Sequence, residues 1–151
     1  MRRAIIVVFS LIVGGLSCTH AAEPAAREPY GIALEGFAYP YPVHLLPLVN
    51  DGEQVRMAYM DIAPAQPNGR SVVLLHGRNF PSSYWAPVIK TLSDAGYRVV
   101  VPDQIGFGKS SKPRGDLHFD TLARNTIALL DHLGIATVSY THLTLPTIYS
   151  V

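Results

Sequence analysis

Two unbroken apolar runs, Val72–Leu75 and Tyr97–Val101, dominate the hydropathy pattern. Both are rich in β-branched residues and neither alternates, which suits strands buried on both faces. Between them Trp85, Val88, Ile89 and Leu92 recur at i, i+3, i+4 and i+7, the stripe of a short helix. Pro81, Ser82 and Ser83 supply a helix start, and Gly96 a stop where the left-handed conformation is needed. Strand, helix and strand together predict a βαβ unit with parallel strands and a right-handed crossover. Upstream, Val43–Val49 and Gln54–Ile62 flank Asn50-Asp51-Gly52, residues that tolerate positive φ, so a hairpin is predicted. In its second arm Val55, Met57 and Tyr59 alternate with Arg56, Ala58 and Met60. Downstream, Phe119, Leu122, Thr126, Leu129 and Leu133 share one helical face, with Ala123 and Leu130 beside it and Gly134 at the end. Asp120 in the first turn suits the helix dipole. His118 and His132 fall toward the polar side and are expected to be solvated.

The remaining segments carry less regular patterning. Residues 1–22 read as a targeting segment: Arg2 and Arg3 precede the apolar run Ala4–Leu16, and Thr19-His20-Ala21 offers small residues for cleavage. The run is short for a bilayer span. Cys18, the sole cysteine, follows Leu16-Ser17 in a partial lipobox, so lipidation there is the alternative to simple cleavage, and the short run disfavours an uncleaved membrane anchor. The implied location is outside the cytoplasm, periplasmic or secreted. Residues 23–42 form a leader rich in Ala, Pro and Tyr. Tyr39-Pro40-Tyr41-Pro42 excludes helix, and its aromatics are expected to cover the sheet edge. Ala63–Arg70 is a loop that delivers the chain to the first buried strand.

Composition narrows the class of partner. The chain has 151 residues, 48% of them hydrophobic and 15% charged, with net charge +1. This is ordinary globular composition for one domain at most, and it gives no reason to expect nucleic acid. A small molecule is the expected ligand. No pair of histidines stands at metal-ligand spacing, and no cofactor is expected.

Ligands of parallel sheets sit beyond the carboxyl ends of the strands. Two loops reach that edge: His76-Gly77-Arg78-Asn79 and Asp103 to Ser110. The second ends in Gly108-Lys109-Ser110, like a phosphate loop, but Asp103 stands where that motif needs its first glycine. A dinucleotide fingerprint fails at Ser111, so both nucleotide readings are excluded. Gly106 and Gly108 allow sharp turns, and Asp103 and Ser110 can bond exposed amides, so this loop is read as mainly architectural. Phe107 is a candidate for the pocket lining. Lys112 to Asp116 is a linker.

A strand ending in His-Gly, then a helix, then a strand ending in Pro102-Asp103-Gln104-Ile105-Gly106-Phe107-Gly108-Lys109-Ser110 resembles the first half of the α/β-hydrolase fold. The resemblance implies an α/β architecture: the N-terminal part of such a sheet, an antiparallel hairpin followed by a parallel βαβ unit with flanking helices, over residues 43–137. It implies that a backbone N–H of Arg78 or a near neighbour forms half of an oxyanion hole. The His76 side chain is expected to shape the turn, not to act as catalytic base. Asn79, polar and near the expected pocket mouth, is a candidate for touching substrate, but capping of the following helix or bonding of the loop is the favoured expectation.

The same resemblance sets up an absence. After the second helix such a fold returns to a strand ending in G-x-S-x-G or its Asp or Cys equivalent. No such motif occurs in this sequence, so no catalytic residue is assigned: nucleophile, acid and base are all missing, and the sheet is read as truncated before the nucleophile elbow. Val138–Thr147 resembles the translated end of a transposon-derived sequencing adaptor. That likeness implies that residues 138–151 are a non-native tail on a gene fragment. The competing reading is a genuine strand, since Val, Tyr, Thr, Leu and Ile all suit one. On the first reading, the Val72–Leu75 strand is expected to be left as an exposed apolar edge. The intact parent is expected to hydrolyse an ester or similar small molecule through a nucleophile–His–acid triad. The alternatives are an Asp nucleophile, as in dehalogenases and epoxide hydrolases, or a non-catalytic binding protein of the same fold.

Overall fold

The computed structural model describes residues 29–142. The targeting segment, Cys18, residues 23–28 and residues 143–151 lie outside the described residues. Five strands run in the order β1 (His44–Asn50), β2 (Glu53–Ile62), β3 (Ser71–Leu75), β4 (Arg98–Pro102) and β5 (Ser139–His142) along the chain. Helix α1 (Ala86–Asp94) joins β3 to β4, and α2 (Phe119–His132) precedes β5. In space the order is β1-β2-β4-β3-β5. The pairs β1–β2 and β2–β4 are antiparallel, and β3–β4 and β3–β5 are parallel. This is the α/β arrangement expected from the sequence: a hairpin, then a parallel βαβ unit with flanking helices.

Local chemistry explains the boundaries. Asn50 pairs with Glu53, so the hairpin turns on Asp51 and Gly52 alone. Their φ values of 49° and 84° are those of the primed two-residue turn that matches strand twist. Gly96 closes α1 at φ 88°, where an added Cβ would press on the Gln66 carbonyl at 2.7 Å. A larger residue is therefore excluded both by conformation and by space.

The sheet separates two apolar layers, and strand alternation decides which residue joins which. Val72, Leu74, Val99 and Val101 pack with Met60 and Ile89 beneath α1. Val73 and Val100 point the other way, toward Val55, Met57, Ile105 and Leu129 beneath α2. Continuous apolar strands are the direct consequence of covering both faces. Arg98 ties the layers together at the far end. Its guanidinium grips Asp61 at 2.9 and 2.7 Å and donates to the Leu133 carbonyl at 3.3 Å.

Four sequence expectations are corrected. Helix α1 does not begin on a serine cap: a 3-10 turn at Ser82–Trp85 precedes it, and the N-cap positions make no side-chain bond. The orphan amide of Ser82 is instead capped from across the fold by Asp103. Phe119 does not join the apolar face of α2 but is 89% exposed, and Ala123 is exposed as well. Asn79 caps nothing; it is exposed, with φ 70°. The β3 edge is not left bare: the backbone of Ser139–His142 pairs with Val72–Leu75 in parallel register. The leader, over residues 29–42, does pack on the body, where Tyr39 and Tyr41 cover the α1-side layer.

Candidate functional site

The carboxyl ends of β3 and β4 lie side by side, and their loops are bolted together by two buried side chains. His76 is the first. The Gln104 amide donates to its Nε2 at 2.8 Å, so that nitrogen is unprotonated. The proton must then be on Nδ1, which donates to the Gly77 carbonyl at 2.9 Å. His76 is thus a neutral strut between the loops, with its ring edge-on to Phe107 at 5.4 Å. A side chain committed at both nitrogens is not free to shuttle protons.

Asp103 is the second strut, and it is fully buried. Its carboxylate accepts from the Ser82 amide (2.7 Å), the Lys109 amide (2.8 Å) and the Tyr39 hydroxyl (2.6 Å). Burial and the adjacent carboxylate push the Tyr39 phenol well above its ordinary range. Gly108, at φ 49°, lies against that carboxylate so closely that a Cβ would collide with it. Ser110 completes the loop: its hydroxyl donates to the Asp103 carbonyl at 2.6 Å and accepts the Ala58 amide at 2.8 Å. Gly106, at φ 95°, donates its amide to the Ser111 carbonyl.

Three contributors are not apparent in the sequence. Tyr39 is one. Ser111 is another: its hydroxyl accepts the Arg56 amide at 2.9 Å, clipping the loop to β2. Lys112 is the third. Its ammonium donates to the carbonyls of Phe107, Gly108 and Ser110, and burial lowers its pKa. No local pattern marks these residues, because each acts on a partner whose position only the tertiary fold sets. A lysine shortly after a G-x-G turn is the one weak signal.

The turn after β3 is the chemically open part. The Phe80 amide donates to the Gly77 carbonyl at 3.2 Å, closing a β-turn with Arg78 and Asn79 at its tip. Positive φ at the third position is a turn feature that Asn accepts. Among the described residues, neither the Arg78 nor the Asn79 amide donates to a protein acceptor. Beside this turn lies a cavity of about 330 Å³ lined by His76, Arg78, Gln104, Phe107, Leu117, Phe119 and Leu122. The buried Gln104 Oε1 has no protein donor. Exposed amides on a rigid turn can stabilise negative charge on a carbonyl oxygen. Among the described residues no group of three or more His, Cys, Asp or Glu could hold a metal ion.

A mixed sheet whose parallel strands β3 and β4 carry their loops to one ligand edge is the arrangement of the N-terminal part of an α/β-hydrolase sheet. Residues 70–140 match the family model for the alpha/beta hydrolase fold. The chain is 36% identical over 104 residues to a haloalkane dehalogenase of Mycolicibacterium paratuberculosis, covering 67% of this chain and 34% of that protein. It is 37% identical over 89 residues to a cis-3-alkyl-4-alkyloxetan-2-one decarboxylase of Xanthomonas campestris, covering 54% and 29%. A crystal structure of a probable hydrolytic enzyme from Pseudomonas aeruginosa superposes with a TM-score of 0.75 at 49% identity, over 76% of this chain and 37% of that one. These matches support membership of the α/β-hydrolase superfamily over this part of the chain. It spans about a quarter to a third of the length of the curated relatives it matches.

Proposed function

We propose that this chain is the substrate-polarising N-terminal part of an exported hydrolase that cleaves a carboxylic ester or a similar small molecule. The observation that carries the reading is the pair of unpartnered amides at Arg78 and Asn79, held beside a cavity on the ligand edge of the sheet. An oxyanion forming there would be met by fixed donors that need no reorganisation. His76 and Asp103 supply the rigidity, and neither takes part in the chemistry. Nucleophile, acid and base would follow Thr137 in a longer chain. The export assignment rests on Arg2, Arg3 and the apolar run Ala4–Leu16. Mass spectrometry of the mature N-terminus tests it: cleavage near Ala21, or a lipid adduct on Cys18, is expected.

The activity is tested on protein made from the complete gene. Hydrolysis of p-nitrophenyl butyrate is expected, and alanine at the tip of the parent's own nucleophile elbow is expected to abolish it. A second reading has a specific basis, the 36% identity to a protein named haloalkane dehalogenase. An Asp nucleophile would then attack carbon bearing a halide or an epoxide oxygen. Release of bromide from 1-bromobutane without ester hydrolysis would establish that chemistry instead. Gly or Ala at the elbow, with neither activity, would indicate a binding protein.

A further inference from the structure

A second cavity, of about 310 Å³, opens on the other side of Phe107. Its near wall is Phe80 and Phe107, and its far wall is the leader: Tyr30, Ile32, Leu34 and Phe37. The leader is built there, not merely draped. The Leu34 amide donates to the Gly31 carbonyl and the Phe37 amide to the Leu34 carbonyl, making two successive turns. Tyr30 meets Phe37 edge-on at 5.2 Å, and Phe37 meets Tyr39 at 5.9 Å. Tyr39 is pinned to Asp103, and the Lys109 ammonium donates to the Leu34 carbonyl at 3.1 Å while lying 5.0 Å over the Tyr39 ring. The strut that fixes the catalytic-edge loops therefore also fixes this wall.

We infer that residues 30–39 form the wall of an apolar subsite that receives the uncharged acyl or alkyl end of the substrate, a short chain or a single ring. The inference rests on the hydrolase reading for the identity of the reacting group. Three observations carry it. Asn79 lines this groove and Arg78 lines the neighbouring cavity, so the two free amides stand at the junction. A carbonyl held there would send one of its substituents along the leader. Beyond the turn amides, the groove offers no free ammonium or guanidinium to an anion. Its lysine, Lys112, spends its protons on three loop carbonyls. Finally, Ile32 is 82% exposed and Tyr30 and Phe80 about half so, a cluster of uncovered apolar surface that a ligand would remove from water. The volume is at the small end of ligand sites, which limits the group to a few carbons or one ring.

The test uses the full-length protein and butyrophenone, an uncharged ketone, with acetone as the small control, read by ligand-observed NMR. Butyrophenone is expected to bind, and Ile32→Asp and Phe37→Ala are each expected to weaken it by about fivefold. Ile127→Ala, on the exposed side of α2 away from both cavities, is expected to leave binding unchanged. Tyr39→Phe, which releases the wall without touching the groove, is expected to weaken binding in the same direction. For ester hydrolysis, the first two variants are expected to lower kcat/KM for p-nitrophenyl butyrate by about fivefold and for p-nitrophenyl acetate by less than about twofold. Absence of butyrophenone binding, or binding and chain-length preference indifferent to Ile32→Asp and Phe37→Ala, would overturn the inference. So would variants whose only defect is reduced association with phosphatidylglycerol vesicles, which would make the patch a membrane contact. Ketone binding that responds to the variants, in a protein that hydrolyses no ester, would sink the ester-hydrolase reading and leave the groove standing.

Discussion

Asp103 is the residue on which the ligand edge depends. One buried carboxylate satisfies three donors from three segments: the leader, the start of α1 and its own loop. In Asp103→Asn one oxygen becomes a donor facing donors, and a loss of about 2–4 kcal/mol in urea denaturation is expected. Gly108→Ala is expected to cost at least about 2 kcal/mol by the same measurement, because it combines φ 49° with a collision against that carboxylate. Tyr39 adds a pH signature. Its folded-state pKa is raised, so its contribution is fully present below pH 10, the unfolded value, and is lost as pH rises above it. Thermal melts between pH 9 and 11 are expected to fall less steeply in Tyr39→Phe than in wild type, with Tyr59 and Tyr84, also raised, accounting for slope that remains. The sequence shows part of this. Asp103 and Ser110 are readable as loop-bonding residues because a P-D-x-x-G-x-G turn exposes amides. The identity of their partners is not readable, since Ser82, Ala58 and Tyr39 are 21 to 64 residues away.

At the scale of elements, burial on both faces is what makes β3 and β4 legible: a strand covered above and below cannot afford polar positions. The hairpin is legible for a different reason, since Asp51-Gly52 carries its own conformational preference. Helix α2 is legible in existence but not wholly in phase. Leu129 faces the sheet as the spacing requires, with Leu122 and Leu133 packed beside it. Yet the buried polar residue is Asn125 and not Thr126, and Phe119, in the first turn, swings out toward the cavity. A helix end has neighbours on one side only, so periodicity constrains it weakly. Two substitutions separate these cases: Leu129→Ala, at a fully buried position, is expected to cost about 2–5 kcal/mol. Phe119→Ser is expected to stay within about 0.5 kcal/mol in the same denaturant titration.

For the molecule as a whole, the half-sheet fixes what this chain can do alone. The Gly77–Phe80 turn and both cavities are assembled from residues 30–122, whereas no nucleophile motif accompanies them in the sequence. We propose that residues 138–151 are a non-native tail, and that β5 holds a place in the sheet that the parent fills with its own strand. With β5 then the outer strand on that side of the sheet, an edge open to further pairing, the 151-residue chain is expected to elute as aggregate in size-exclusion chromatography and to show no saturable hydrolysis of p-nitrophenyl butyrate. The adaptor likeness at Val138–Thr147 is legible only because the residues are compared with something outside proteins. Strand propensity alone makes the same segment an acceptable neighbour for β3.

The spatial order of the strands bears on how a nascent chain would assemble. Strands β1 to β4 come from consecutive sequence, and β2, β4 and β3 pair without waiting for anything downstream. In the sheet β5 takes the flank of β3, and β1 forms the opposite edge. Synthesis would thus lay down a four-stranded template first, and the period before the flank of β3 is covered is when a chaperone would find the most to hold.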